Sequence, residues 1–567
     1  MIEILLILGA AMALAWPLGL YLARVMRGAP MWGDAVFGLV ERPLYMLLGV
    51  DPARGMSWRG YASAFVLSNL VVGALVWTMF MTQAWLPLNP DAVPNMRWDL
   101  ALHTAVSFLT NTNQQHYSGQ AQLSYLSQMV AITGLQIVAP MMGLGLAVAT
   151  LRAFFGRGQG ADAQQDEPRA VDVGNYYADV IRACVRFMLP LCLVWTLLLG
   201  SQGVPSTLQA GPSATPLEHS ATFTAQKLPL GPVAAMVAAK QLGTNGGGWY
   251  GPNSSVPLEN PTPLSNALEC LAIILVPIAV VFMVGAFTGR RKLAGLIFGS
   301  MLLMSAASTT ALVWAEGHAA TSASPMVMEG KEVRFGANAS ALWAALTTQT
   351  SNGSVNAMHD SLSPLGGGVA IADMLVNAIW GGIGCGLQAF MVYLLLGVFL
   401  AGLMTGRTPE LFGRKIETPQ IKLLALLILL QPIVLLLFTA VALSVPSLTG
   451  NSNPGFHGIS QVFYEYASAF ANNGSGFEGL GDGTAWWNLS CTLLLLLGRY
   501  PALIVPLVVA AQLAAKRRSP ESAGSLQIET PTFALTLIAV IGVLTVLQFM
   551  PVLVLGPVAE HLALIAH

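Results

Sequence analysis

Ten apolar runs, each long enough to cross a bilayer, set the outer limits on this chain. A spanning helix needs about 20 mostly apolar residues, and such runs fall at roughly 2–24, 61–83, 121–151, 176–200, 263–288, 293–315, 369–404, 422–446, 486–515 and 529–557. Inside a bilayer every backbone N–H and C=O must be satisfied internally, so runs of this length fold as helices. Only 9% of the 567 residues are charged, and the mean hydropathy is +0.64. The fold class is therefore an all-α polytopic membrane protein. A net charge of −1 argues against a nucleic-acid partner, which needs an excess of Lys and Arg; membrane lipid is the solvent. Cys184, Cys192, Cys270, Cys385 and Cys491 stand in or beside apolar runs without CxxC spacing and read as small buried hydrophobes. Met1-Ile2-Glu3 lacks the basic start of a cleaved leader, so the first run reads as a retained helix.

Lys and Arg accumulate on the cytoplasmic side of membrane proteins. The odd-numbered connections carry Arg24, Arg27, Arg42, Arg54, Arg59, Arg152, Arg157, Arg169, Arg290, Arg291, Lys292, Arg407, Arg414, Lys415, Lys422, Lys516, Arg517 and Arg518. The even-numbered ones carry only Arg97, Lys227, Lys240, Lys331 and Arg334. Eighteen against five places both termini on the extracytoplasmic side.

Four short polar segments on that side resemble one another: Thr110-Asn111-Thr112-Asn113, Thr244-Asn245-Gly246-Gly247, Ser351-Asn352-Gly353-Ser354 and Asn472-Asn473-Gly474-Ser475. Each follows a helix-forming stretch too short to cross, such as Ala105–Leu109, Ala234–Leu242, Ala341–Thr348 or Glu465–Ala471. Exposed backbone at membrane depth is tolerated only when buried in protein or lining a watery cavity, so these read as re-entrant loops. The unit is span, half-helix, polar loop, span. Four such units cover 61–174, 175–292, 293–421 and 422–518, flanked by a first helix with its loop (1–60) and a last helix (519–567). One Asn-Gly loop alone is an ordinary turn. Four in equivalent positions suggest a central ion pathway, in which neutral oxygens replace the water shell of a potassium ion without trapping it. Gly frees the backbone to turn its carbonyls; Gly246, Gly353 and Gly474 match, with Thr112 expected in the fourth place.

Other polar residues are fewer. Glu259, Asp360 and Glu478 follow the second, third and fourth loops, as braces or caps or as collectors of cations. His103, His116 and His359 read as hydrogen-bonded structural residues, since no second ligand stands at metal spacing. Lys240, Arg182 and Arg186 read as helix-end residues that snorkel. The seventh run contains Gly381, Gly382, Gly384 and Gly386, which mark either a broken helix acting as a gate or close helix packing. Arg499 lies deep in the ninth run, where charge is costly and marks an ion path or a paired partner; it is a barrier candidate or a structural pair.

Several longer runs carry a family resemblance: Gly243-Thr244-Asn245-Gly246-Gly247-Gly248, Glu259-Asn260-Pro261-Thr262, Met328–Gly336, Ser351–Met358 and Gly406-Arg407-Thr408-Pro409-Glu410. From first span to last, the sequence resembles the potassium-binding subunits (KdpA) of the bacterial Kdp potassium-transporting ATPases. The resemblance implies the potassium-transporter superfamily fold, with four membrane–pore–membrane units and the third-unit helix broken beneath the filter. It implies K+ bound at the sixteen loop residues named above, no covalent cofactor, and a place in the bacterial inner membrane. It further implies a P-type ATPase partner (KdpB-like) that receives the ion, with KdpC-like and KdpF-like accessory subunits. The chain departs from the family pattern at Gln114, where an aromatic residue is common, at Trp249 and Tyr250, where two Phe are usual, and at Asn377, often a carboxylate. No GxxxxGK[ST] loop or Asp-Lys-Thr-Gly signature occurs, so ATP hydrolysis is expected in a partner. The rival expectation is a stand-alone potassium channel or ion-coupled transporter of the same superfamily.

Overall fold

Each apolar run becomes helix, and the starts of several follow one local device. A Ser or Thr caps the helix and a Pro occupies its first turn, where a missing N–H costs nothing. Thr262-Pro263, Ser363-Pro364 and Thr530-Pro531 all open helices in this way, the side-chain oxygen accepting from Ser265, Gly366 and Phe533 N–H respectively. The computed structural model describes residues 2–156, 171–218, 224–318, 327–518 and 526–566; Arg157 and Arg169 lie outside these ranges.

In chain order the principal helices are α1 (Ile2–Arg27), α2 (Asp34–Leu48), α3 (Trp58–Trp85), α4 (Trp98–Leu109), α5 (Ser127–Phe155), α6 (Tyr176–Ser201), α7 (Val233–Leu242), α8 (Pro263–Thr288), α9 (Arg291–Gly317) and α10 (Ala337–Gln349). There follow α11 (Pro364–Val376), α12 (Cys385–Met404), α13 (Thr418–Ser444), α14 (Phe456–Ala471), α15 (Ala485–Ala514) and α16 (Pro531–Ala566). Ten of them are long and apolar enough to span: α1, α3, α5, α6, α8, α9, α12, α13, α15 and α16. The shorter α4, α7, α10 and α14 precede the four polar loops. They run longer than the sequence suggested, α4 and α14 reaching back to Trp98 and Phe456. β-structure among the described residues amounts to two two-residue pairings and two isolated bridges.

The seventh run is not one helix. It divides into α11 and α12, with 377–384 irregular between them. Asn377, at φ +45°, ends α11 in the left-handed region, and Gly381 and Gly384 hold φ +62° and +85°. The glycine run is thus interrupted between two helices.

α1, left over from the repeat, packs along α8 so closely that a Cβ on Gly19 would stand 2.5 Å from the Ala279 carbonyl oxygen. Two of the snorkelling expectations fail. Arg186 is held between Asp34 and Glu41 of α2, at 2.5 Å from each, and Lys240 is wholly buried in an ion pair with Glu259. A short α2 between two spans and the loop that follows α7 supply those partners, and apolar periodicity reveals neither.

The last span is tied to the third and fourth units by His457 on α14. Its Nε2 meets Asp360 Oδ1 and its Nδ1 meets Glu560 Oε1, both at 2.9 Å. Burial alone would lower its pKa, but the two carboxylates overcome this and raise it from 6.5 to about 10. A raised pKa means that the clamp contributes fully below pH 6.5 and is lost as pH rises through about 10. Thermal unfolding of the purified protein should therefore weaken between neutral pH and pH 10 more in wild type than in His457→Gln; parallel curves would contradict the clamp.

Candidate functional site

The four loops are in one register, set by the helix before each. The carbonyl of Ser107, Lys240, Thr347 or Ser468 accepts from the N–H five residues on: Thr112 (3.0 Å), Asn245 (3.1 Å), Asn352 (3.0 Å) and Asn473 (2.9 Å). The residue before each of these is left-handed: Asn111 at φ +63°, Thr244 at +49°, Ser351 at +53° and Asn472 at +54°. The residue after is left-handed too: Asn113 at +59°, Gly246 at +60°, Gly353 at +88° and Gly474 at +105°. Asn113, not Thr112, is therefore the counterpart of the three glycines. Asn is among the few non-glycine residues that enter this region at low cost, which explains how the first loop keeps the same path without a Gly.

The loops close into a ring. A Cβ added to Gly246 would lie 2.2 Å from the Asn352 carbonyl oxygen, one on Gly353 2.1 Å from that of Asn473, and one on Gly474 2.1 Å from that of Thr112. The fourth junction is made by side chains: Asn111 Nδ2 donates to the Gly243 and Thr244 carbonyls at 3.2 and 3.1 Å, and Asn245 Nδ2 donates to Asn111 Oδ1 at 3.1 Å. Gly247 leaves room for Asn113, whose Cβ would be 2.8 Å from a Cβ there. Elsewhere amides brace the ring from behind, Asn352 Nδ2 to the Lys240 carbonyl at 3.3 Å and Asn473 Nδ2 to that of Thr347 at 2.9 Å. The two hydroxyl-bearing last positions, Ser354 and Ser475, donate to Asn352 and Asn473 Oδ1. All sixteen loop residues thus come together, and Thr110 serves as a brace through its hydroxyl contact with Thr112 (2.8 Å).

The irregular segment 377–384 lies against the ring. Asn377 Oδ1 accepts from Ser351 Oγ at 2.8 Å while its Nδ2 donates to the Ala471 carbonyl at 3.1 Å, so it joins the third and fourth loops. Ile383 N–H reaches Thr244 Oγ1 at 3.3 Å. Gly384 fits where a Cβ would lie 2.3 Å from the Gly143 carbonyl oxygen, and Gly386 where one would lie 2.0 Å from that of Trp380. A Cβ at Gly143 would in turn stand 2.8 Å from both Arg499 Nη2 and the Ile383 carbonyl oxygen. Arg499 is buried and donates through Nη2 to the Ala139 carbonyl at 3.3 Å, whereas its Nε and Nη1 have no hydrogen-bond partner among the described residues.

Around the ring the charges act as braces. Glu259 takes Lys240 and the Tyr250 N–H; Glu478 accepts from the Asp360 N–H at 3.2 Å. Gln114 donates to the Glu465 carboxylate and carbonyl. Trp249 and Tyr250 are buried, the Tyr250 hydroxyl donating to the Pro229 carbonyl at 2.7 Å. His103 and His116 stack at 3.8 Å, and His359 meets the Tyr464 hydroxyl at 2.9 Å. Contrary to the spacing argument, His116 does have potential co-ligands: Glu465 and Cys491 bring ligand atoms within 4.8 Å. They come from α14 and α15, far along the chain, so local spacing carried no sign of them.

A family model described as KdpA, potassium-transporting ATPase A subunit, matches residues 5–562. The chain belongs to this family. It is 44% identical over 563 residues to a relative from Gloeobacter violaceus, covering 97% of this chain and 95% of that one. Relatives from Geobacillus kaustophilus (43% over 564 residues, 97% of each chain) and Pseudomonas putida (43% over 556 residues, 96% of each) match as well. All three bear the name potassium-transporting ATPase potassium-binding subunit. Among solved structures, the potassium transporter TrkH from Vibrio parahaemolyticus gives a TM-score of 0.49 at 15% identity, over 87% of this chain and 97% of that one.

The ring geometry makes unequal demands on its third positions. Gly353→Ala and Gly474→Ala should each lower stability by at least ~1–2 kcal/mol, the cost of forcing an L-residue left-handed before any collision is counted. Asn113→Gly should change it by only a few tenths of that. Thermal unfolding of the purified protein reads the contrast, and equal losses at all three would contradict the register.

Proposed function

We propose that the four loops are the potassium filter of an ATP-driven uptake pump. In this reading the filter takes K+ from the extracytoplasmic side of a bacterial inner membrane and passes it to a P-type ATPase subunit. As a member of the KdpA family the chain is a non-catalytic, potassium-transporting subunit; the filter, the direction and the hand-off are the proposal. The observation that carries it is the ring itself, four loops of matched torsion closing on one another. In an extended strand successive carbonyls point to opposite sides, whereas left-handed residues on both sides of each middle residue break that alternation and let carbonyls turn toward one side. Such a run offers an ion oxygens rather than hydrogens. Neutral oxygens suit K+, which must be bound and released quickly.

The filter comprises Thr110–Asn113, Thr244–Gly247, Ser351–Ser354 and Asn472–Ser475, one loop from each of the four repeated units. The irregular segment 377–384 is the gate, with Gly381, Gly382, Gly384 and Gly386 allowing its close approaches. Arg499 is the barrier beyond it: a buried guanidinium with two unsatisfied nitrogens repels a cation that would otherwise run on through the subunit. The ion therefore leaves sideways, to a KdpB-like partner supported by KdpC-like and KdpF-like subunits. Asn377 substitutes a neutral amide for a carboxylate and holds two loops together, so no charged relay operates at that position.

In the assembled complex, Gly353→Asp should raise the K+ concentration for half-maximal ATP hydrolysis by at least about tenfold, or ~1.4 kcal/mol of binding. An unchanged value in a complex that still assembles would remove the loops from ion selection. Arg499→Gln should raise ATP-independent K+ leak into liposomes, and unchanged flux would sink the barrier.

A further inference from the structure

The second quarter of the ring differs from the others in what stands behind it. At the residue five positions before the ring asparagine or threonine, three loops have a hydroxyl: Ser107, Thr347 and Ser468. The second has Lys240. In the third and fourth loops that hydroxyl accepts from the glycine N–H, Gly353 to Thr347 Oγ1 at 2.9 Å and Gly474 to Ser468 Oγ at 3.0 Å. Lys240 points elsewhere. Its ammonium, with no exposure to solvent, donates to Asn253 Oδ1 and Ser254 Oγ, both at 2.6 Å, and to the Glu259 carboxylate.

Asn253 links that charge to the ring. Its backbone is left-handed, at φ +56°. Its Oδ1 is committed to Lys240 and to the Ser254 N–H (2.9 Å), so its Nδ2 must face the other way, and it donates to the Gly246 carbonyl at 2.6 Å. Among the described residues no hydrogen bond reaches the carbonyls of Asn113, Gly353 or Gly474. One of the four equivalent carbonyls is thus pinned and polarised from outside while three are free. A carbonyl that already accepts a short bond, backed by a buried cation, has less negative charge to offer an ion and less freedom to follow it. The remaining charges near Lys240 are Glu259 and Glu269. Glu269 Oε2 takes Gln241 and Ser254, each at 2.7 Å, and Gln241 Oε1 lies 2.9 Å from Ser354 Oγ, so the cluster also reaches the third loop.

We infer that Lys240 and Glu259, acting through Asn253 on the Gly246 carbonyl, are positioning residues that set ion discrimination by making one quarter of the ring stiff and weakly donating. The inference rests on the filter reading above. A ring with three adaptable quarters and one fixed quarter has a fixed opening, and a larger cation gains less from it than from four adaptable quarters. Release of the Gly246 carbonyl lets the ring widen.

The test uses the assembled complex and compares the Rb+ and K+ concentrations that half-activate ATP hydrolysis. Asn253→Ala should bring the Rb+/K+ ratio toward one by about fivefold, the order of one net hydrogen bond, with the maximal rate kept. Ser254→Ala, which disturbs the same cluster without touching the Gly246 carbonyl, should leave the ratio alone. The charge-neutral pair Lys240→Met with Glu259→Gln should move it as Asn253→Ala does. If Asn253→Ala fails to assemble, Asn253→Asp, isosteric and still able to pair with Lys240, carries the same expectation. An unchanged ratio in the Asn253 variant, or an equal shift in Ser254→Ala, overturns the inference. If Gly353→Asp shifts K+ activation while Asn253→Ala leaves the ratio fixed, only the positioning role fails; if neither has an effect, the filter reading fails with it.

Discussion

Backbone meets backbone at three junctions of the ring, and everything else in the subunit serves to keep those junctions closed. At Gly246, Gly353 and Gly474 the neighbouring loop's carbonyl lies where a side chain would stand. Such contact leaves no slack, so the loops hold only if the four re-entrant helices before them are fixed. Those helices are fixed by the spans, which pack at comparably short range where α1 meets α8 and where Gly384 meets Gly143. The fourth junction departs from the pattern. There Asn111 and Asn245 bridge with their amides, and Gly247 rather than a third-position glycine clears the space. The ring is therefore four chemically related quarters, not four copies.

Much of this was legible in the sequence because membrane helices announce themselves by length and apolarity alone. The ten spans and the four loops follow from residue patterns that solvent-free folding cannot evade. The register of the first loop was not legible. Thr110-Asn111-Thr112-Asn113 aligns by eye with its glycine-bearing relatives one residue out, because left-handed torsion rather than residue type defines the position, and Asn can supply it where Gly is absent. The seventh run was hard for a related reason: its glycines permit both a break and close packing, and only the neighbours at Gln349, Thr244 and Gly143 decide between them.

The buried charges were read least well. Lys240 and Arg186 looked like snorkelling residues because helix-end cations usually are. Their carboxylates come from Glu259, in the loop behind the second quarter, and from Asp34 and Glu41 on a helix outside the repeat. His116 gained Glu465 and Cys491 from elements more than 300 residues away. Pairings of that kind depend on which helices are neighbours, and a hydropathy pattern carries no such information. Arg499 stands apart, since it has a carbonyl but, among the described residues, no hydrogen-bonding partner on its Nε or Nη1. An unsatisfied charge at that depth is expensive, and its retention fits a role in repelling the ion better than a role in holding the fold.

The account makes one claim from which the rest descends: a potassium ion is held on the axis enclosed by all four loops. Anomalous scattering from rubidium-soaked crystals of the assembled complex tests it most directly. The account predicts a rubidium peak enclosed by residues 110–113, 244–247, 351–354 and 472–475, and on the ring side of Arg499. Density that instead lay beside only one loop, or beyond Arg499 with the ring empty, would contradict it.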